Sequence, residues 1–354
     1  MIKMRDILIA ITIDYETWHP TVSEYEKRWQ ENNIIIDWEK DIIESTYSLL
    51  DIADEVGVKL TLMAEMCEYI WLKENNPFIA KRISDQIQNA IIRGHDVQLH
   101  VHPHWMPETG ASYVDGMWKW KCEYAKAENY PFDLNKMIQR CKNELEAIVT
   151  PVKEDYKVTC FRAGSYLVQP FTRLYEALVD NNIMCDTSVY MGGTSSNRGY
   201  DFSKCKYKNQ PYLPDKDDPA NEDTINSVMV ELPIYAWKND KRWKFDNGEL
   251  FADEFIVKSR NTCCETENFF VMIGHSKEWQ DYEKMKKQFL KMQNNFKIKW
   301  VTLDELANRA QNYVKCRDEK QIRKMLCPMK VVIEAQIELW VERIKGIYKK
   351  GLKI

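Results

Sequence analysis

The chain has 354 residues, 44% hydrophobic and 12% aromatic, enough to bury one large core, either one α/β barrel with an appendage or two domains. Fifty lysines and arginines against 54 aspartates and glutamates leave a formal charge of −4, so the chain lacks the overall basic field that nucleic-acid binding needs. Ten cysteines are scattered without a C-x-x-C pair, which argues against a disulfide framework and for free thiols in a reducing, cytoplasmic compartment.

Ile7 to Ile13 reads as a buried first strand, too short to span a membrane and without a small-residue cleavage site. No apolar stretch long enough for a transmembrane helix follows. Apolar spacing predicts a helix from Trp38 to Val56, a strand from Lys59 to Met63, and a helix over 77–93 closed by Gly94. A strand from Val97 to Val101, a helix from Leu134 to Thr150 and a strand from Val158 to Phe161 come next. Then follow a helix from Phe171 to Asn181, an extended segment from Met184 to Val189, and strands at Ser227–Leu232 and Phe269–Gly274. A helix from Trp279 to Phe296 and a last strand at Trp300–Thr302 end the series. The alternation has no Gly-rich phosphate loop, so the expected architecture is a parallel barrel with chemistry at the C-terminal ends of its strands.

Four of the six histidines fall between Gly94 and Trp105. Val97, Leu99 and Val101 alternate with Gln98, His100 and His102, and Pro103 ends the ladder because it has no N–H to donate. Such a strand end can bring two or three neutral imidazoles to one point, as zinc-like metals require. Alternation alone puts His100 and His102 on one face, whereas a turn at Pro103 would swing His104 beside His100; the residues leave both arrangements open. Other strand ends carry Asp14-Tyr15-Glu16, Arg162, Asp186 and His275. Any one of these has a bland reading as an ion-pair partner, helix cap or loop residue, but their coincidence at strand ends favours a single site.

These motifs, in this order, resemble the polysaccharide deacetylases with the NodB homology domain, carbohydrate esterase family 4. Thr12-Ile13-Asp14-Tyr15-Glu16 is similar to the family's first motif, and His100-Val101-His102-Pro103-His104 to its His-x-x-x-His motif. Phe161-Arg162-Ala163-Gly164-Ser165-Tyr166, Asp186-Thr187-Ser188 and Ile273-Gly274-His275 are similar to the three that follow. The resemblance spans about residues 6 to 306. It implies a distorted barrel of seven or so β/α units over 1–310, holding one divalent metal, usually zinc, on two histidines and a carboxylate. It further implies that His100 and His104 are ligands and His102 a neighbour. Tyr15 stands where the usual motif has a second aspartate; on the Asp-x-acid pattern of some relatives, Asp14 is the general base and Glu16 the ligand. The activity implied is removal of an N-acetyl group from an amino sugar by metal-activated water. Arg162 would hold Asp14, His275 would protonate the leaving amine, Asp186 would support the site, and a backbone N–H near Tyr166 would face the oxyanion. Other implied readings are hydrolysis of another C–N bond in a cyclic ureide or imide, and carbohydrate binding without catalysis.

Residues 105–130 are rich in aromatics, and Trp105, Trp118 and Trp120 are candidates for stacking on a sugar, with packing of a long loop as the competing explanation. Residues 191–226 form a long irregular segment of the kind that makes lids. Ile322, Met325, Met329, Ile333, Ile337, Trp340, Ile344 and Ile347 describe an amphipathic helix in a separate extension over 311–354. Its residues 321–354 hold eight Lys or Arg and three Glu, so it would suit docking on the barrel or peripheral contact with an anionic membrane surface.

Overall fold

An almost unbroken apolar run explains why the first strand lies within the sheet rather than at its edge. In β1 (Ile7–Tyr15) every residue is buried, the pattern of a parallel strand covered on both faces. The computed structural model describes residues 7–17, 36–114, 117–196, 198–205, 210–238, 241–242, 268–278, 282–295 and 297–316. The remaining sheet strands in chain order are β2 (Leu60–Glu65), β3 (Asp96–Val101), β4 (Cys160–Ala163), β5 (Cys185–Asp186), β6 (Val230–Glu231), β7 (Asn268–His275) and β8 (Ile298–Trp300). Their order is β6-β5-β4-β3-β2-β1-β7, all parallel, with β8 also paired to β1. Just beyond β6, Ile234 forms a parallel bridge with Val271 of β7, and the Tyr235 N–H donates to the Val271 carbonyl at 2.8 Å. This bridge ties the two edges of the main path together, giving the parallel barrel expected of the alternation, with the distortion that the resemblance implies.

The helices pack by their apolar stripes. In α1 (Ser45–Glu55), entered through a π-helical turn at Glu39–Glu44, Thr46, Leu49, Leu50 and Ala53 are buried. The next helix, α2 (Met66–Asn75), starts directly after β2 and has no counterpart among the expected elements. Met66 to Leu72 are all buried, so it shows no amphipathic period to detect. After it, α3 (Pro77–Ile92) has Pro77 at its first position and Asn76 as cap, and Gly94 at φ 84 supplies the left-handed turn that leads into β3. Helices α4 (Leu134–Val149), α5 (Thr172–Asp180), α6 (Tyr282–Asn295) and α7 (Leu303–Cys316) follow. Leu303, Leu306, Ala307, Ala310 and Val314 of α7 are buried, and the helix runs without a break through the boundary expected at residue 310. The amphipathic stretch expected over 321–354 lies outside the described residues.

The expected irregular segment over 191–226 contains an antiparallel pair, Thr194–Ser195 with Tyr200–Asp201, and its Phe202 and Tyr212 are fully buried. Among the described residues no helix is long and apolar enough to cross a membrane.

Candidate metal and catalytic centre

Strand register gathers the polar residues at one level. Asp14 pairs with His275 across β1 and β7, Glu65 with His100 across β2 and β3, and His100 with Arg162 across β3 and β4. All lie at C-terminal strand ends, where a parallel barrel places its chemistry. Asp14, Glu16, Glu65, His100, His102 and Arg162 are each at most 4% exposed.

Glu16 sits at the centre of this group. Its Oε2 lies 3.1 Å from His100 Nε2 and 2.8 Å from His102 Nε2, while its Oε1 accepts from Lys277 Nζ at 2.9 Å. His100 Nδ1 lies 2.9 Å from the Arg162 carbonyl oxygen, an acceptor only. That bond puts the proton on Nδ1 and turns the Nε2 lone pair toward the carboxylates, the tautomer of a metal-binding histidine. His102 is extended at φ −117 and ψ 91, so the strand alternation continues one residue past β3 and leaves its ring on the His100 side. Gly164 makes room for that ring: a Cβ there would stand 2.4 Å from His102 Nδ1, which no side chain tolerates. Glu16, Glu65, His100 and His102 each present one ligand atom, all within 4.8 Å of one another.

The electrostatics suit a cation at this point. Burial by itself would depress the His100 pKa, but Asp14, Glu16 and Glu65 raise it to about 9. Burial pushes Glu65 up to about 8, against the opposing pull of His100. A cluster that holds a proton this firmly, through two imidazoles and two carboxylates, has the donor set and charge to hold a divalent metal instead.

Beside the cluster, Arg162 Nη1 donates to Asp14 Oδ1 at 2.7 Å, and Arg162 Nε to the Thr187 carbonyl at 3.0 Å. Burial would raise the Asp14 pKa, but Arg162, then His100 and His275, more than offset it and hold it below the usual carboxylate value. His275 Nε2 lies 3.7 Å from Asp14 Oδ2 and 3.9 Å from Glu16 Oε1, with 14% of its side chain exposed. Ser165 and Tyr166, at the turn after β4, both have positive φ, 53 and 63, a strained backbone of the kind found where main-chain groups are aimed at a site.

No protein-family model matches the chain, and no curated protein matches it in sequence. Solved structures match it in three dimensions. One, described as a polysaccharide deacetylase from Mycobacterium smegmatis, is 12% identical, with 88% of this chain and 92% of that one covered at a TM-score of 0.51. Another, described as a glycoside hydrolase/deacetylase from Parabacteroides distasonis, is also 12% identical, with 89% and 72% covered at 0.54. This chain has the polysaccharide deacetylase fold.

Within that fold, the structure brings together Asp14, Glu16, His100, Arg162 and His275 of the expected residues, and it rearranges others. His104, implied as a ligand by the resemblance, is not among the four residues whose ligand atoms lie together, whereas His102, implied as a neighbour, is. Pro103 opens a 3-10 turn that carries the His104 ring to Trp120 at 4.8 Å and Trp105 at 5.2 Å. Asp186 is fully buried, is not in the four-residue cluster, and accepts from Ser188 Oγ at 2.6 Å. Trp105 and Trp118 are at most 1% exposed and pack on each other at 5.7 Å, so they form a wall behind the histidines and offer no face to a sugar. Trp120 is partly buried, and Tyr166 is packed at 5.2 Å from Tyr190. His95, the fourth histidine of the cluster in sequence, is structural: its Nδ1 accepts from the Leu60 N–H at 3.2 Å and its Nε2 lies 3.0 Å from Asp54.

Glu65, Lys277 and Glu231 were not anticipated. Glu65 ends an apolar strand, the same signal that singled out Asp14, and Glu231 interrupts the apolar run of β6; Lys277 carries no signal beyond standing two residues after His275. Asp186 and Glu231 form a buried acid pair. Burial raises Asp186 to about 6, and burial together with Asp186 raises Glu231 well above the usual range. A carboxyl whose folded pKa is raised contributes full stability below its unfolded pKa of about 4.5 and loses it as pH rises toward the folded value, at about 1.4 kcal/mol per pH unit. Glu231→Gln, which keeps the oxygen that accepts from the Val189 N–H at 3.1 Å, is therefore expected to gain on wild type progressively above about pH 4.5. Denaturant unfolding at pH 5, 6.5 and 8 measures this, and parallel wild-type and variant curves would show that Glu231 ionises normally.

Proposed function

We propose that this protein is a metal-dependent hydrolase that removes the acetyl group from the nitrogen of an amino sugar in a polysaccharide, glycolipid or precursor. The observation that carries the reading is the juxtaposition of the Glu16-His100-His102 cluster with the Asp14–Arg162 pair and His275 at one barrel mouth. Glu16, His100 and His102 would hold one divalent metal, with zinc the first choice for two imidazoles and a carboxylate. Bound there, the metal supplies Lewis acidity toward water and the acetyl carbonyl. Asp14 accepts the proton of the attacking water, and Arg162 keeps it ionised and aimed. His275, the more exposed partner on the opposite side of Asp14, passes a proton to the departing amine, which cannot leave as an anion. Trp120, beside the histidines and only partly buried, is the aromatic ring best placed to meet a sugar. We further propose a cytoplasmic location, with the stretch over 321–354 either docked on the barrel or a second subunit, or in peripheral contact with an anionic membrane surface.

Two measurements on the purified full chain test it. Metal analysis should find one divalent ion per chain, and acetate release from N-acetylglucosamine oligomers should depend on that ion. A metal-loaded protein that binds the oligomers and releases no acetate would reassign it as a binding protein. Hydrolysis of a cyclic ureide in place of the sugar amide would move it to another C–N hydrolase activity.

A further inference from the structure

Two carboxylates of the cluster have one oxygen each committed elsewhere. Glu16 gives Oε1 to Lys277 Nζ at 2.9 Å, and that ammonium is fixed a second time by the Thr17 carbonyl at 2.6 Å. Glu65 gives Oε1 to the first turn of α2, accepting from the Cys67 N–H at 2.8 Å and the Glu68 N–H at 3.3 Å. Its Oε2 makes no well-formed hydrogen bond, the backbone N–H of His102 being the further donor that acts on this carboxyl, and the residue is 4% exposed. A buried carboxylate oxygen without a well-formed hydrogen bond is costly, and proteins keep such a group where something else satisfies it. Glu65 pairs in register with His100, and one of its carboxylate oxygens lies within 4.8 Å of a ligand atom on each of Glu16, His100 and His102.

We infer that Glu65 is a fourth protein ligand to the metal, through Oε2. The inference rests on the reading of the cluster as a metal centre and goes beyond the two histidines and one carboxylate that this reading requires. Each of the four residues can offer one atom only. His100 is restricted by its bond to the Arg162 carbonyl, Glu16 by Lys277 and Glu65 by the helix it caps. Two atoms that share a metal at about 2.0–2.2 Å stand at most about 4.4 Å apart, so the observed span of up to 4.8 Å closes with a small side-chain adjustment. Four protein ligands leave room for solvent and substrate only if the ion accepts five or more neighbours. The two carboxylates also cancel the charge of a dication, and Lys277 returns one positive charge to the site. Both features favour a metal at ease with oxygen ligands and higher coordination over one held strictly tetrahedral.

The test uses Co2+ as the probe and the metal-stripped full chain in wild-type, Glu65→Gln, Glu65→Asp and His100→Ala forms. Glutamine and aspartate both keep an oxygen for the α2 cap. Glutamine loses the anionic donor, and aspartate is too short to cap and ligate together. Wild type is expected to bind one Co2+. Because loss of a group that merely supports a ligand costs 10- to 100-fold in metal affinity, both Glu65 variants should bind at least about 100-fold more weakly. Their visible d–d bands should intensify as the coordination number falls. X-ray absorption at the cobalt edge of the wild type, which needs no variant, should count five nitrogen and oxygen neighbours. Equal affinity and an unchanged spectrum in Glu65→Gln, or four neighbours in the wild type, overturns the fourth ligand while leaving a metal centre that His100→Ala abolishes. A wild type that binds no Co2+ overturns the metal reading, and the inference with it.

Discussion

Replacing Arg162 by methionine is expected to lower folding stability by about 3–5 kcal/mol, the cost of breaking a buried ion pair by deleting one partner. Arg162 is fully buried and Asp14 nearly so, with Nη1 2.7 Å from Oδ1. Methionine fills much of the same volume, so the loss would reflect the stranded carboxylate more than a cavity. The pH dependence gives the mechanism away. In the wild type Asp14 has a depressed folded pKa, so its contribution is present above the unfolded value near 3.8 and is lost only as pH falls through the lower folded value. Without Arg162, burial acts on Asp14 with less opposition, its pKa rises, and the acid limb of turnover should move to higher pH. Unfolding curves and a pH–rate profile measured on the same variant check both parts. A variant as stable as wild type with an unmoved acid limb would show that Arg162 does not govern Asp14.

Much of the barrel was legible because parallel strands buried on both faces announce themselves as short apolar runs. Ile7–Ile13 and Phe269–Gly274 fall inside β1 and β7; β1 runs on through Asp14 and Tyr15, and β7 takes in Asn268 at its start and His275 at its end. The site was partly legible for the same reason: acids, histidines and an arginine at strand ends stand out against apolar neighbours. What sequence could not decide was the path of three residues after Val101. Strand alternation and a four-residue spacing name different partners for His100, and the choice depends on whether His102 stays extended before Pro103 turns. Room for it to do so comes from Gly164, 62 residues away in sequence but against the His102 ring in space. The same applies to α2. A helix buried on every side has no period, and its start is marked only by Glu65, whose capping role and place in the cluster are both properties of the fold.

Asp14→Asn should cost turnover about 10²- to 10⁴-fold, the usual contribution of a positioned general base, while the bound metal is retained. Asparagine is nearly isosteric and keeps an oxygen facing Arg162 Nη1, and the guanidinium keeps its bonds to the Thr187 carbonyl at 3.0 Å and Thr187 Oγ1 at 3.4 Å, so the variant should fold. It cannot accept a proton from water at any working pH. Glu16→Gln should behave in the opposite order. Its Oε2 stands between His100 Nε2 and His102 Nε2, so neutralising it should first lower metal content and thereby activity. The two variants separate base from ligand without a ligand in the structure. The comparison needs metal content by mass spectrometry beside kcat measured with metal in excess. Full metal loading in both would remove the ligand role of Glu16, and loss of metal in Asp14→Asn with none lost in Glu16→Gln would reverse the roles of the two acids. Excess metal should rescue Glu16→Gln in part and Asp14→Asn not at all, because added ions can refill a weakened site but cannot replace a proton acceptor held by Arg162.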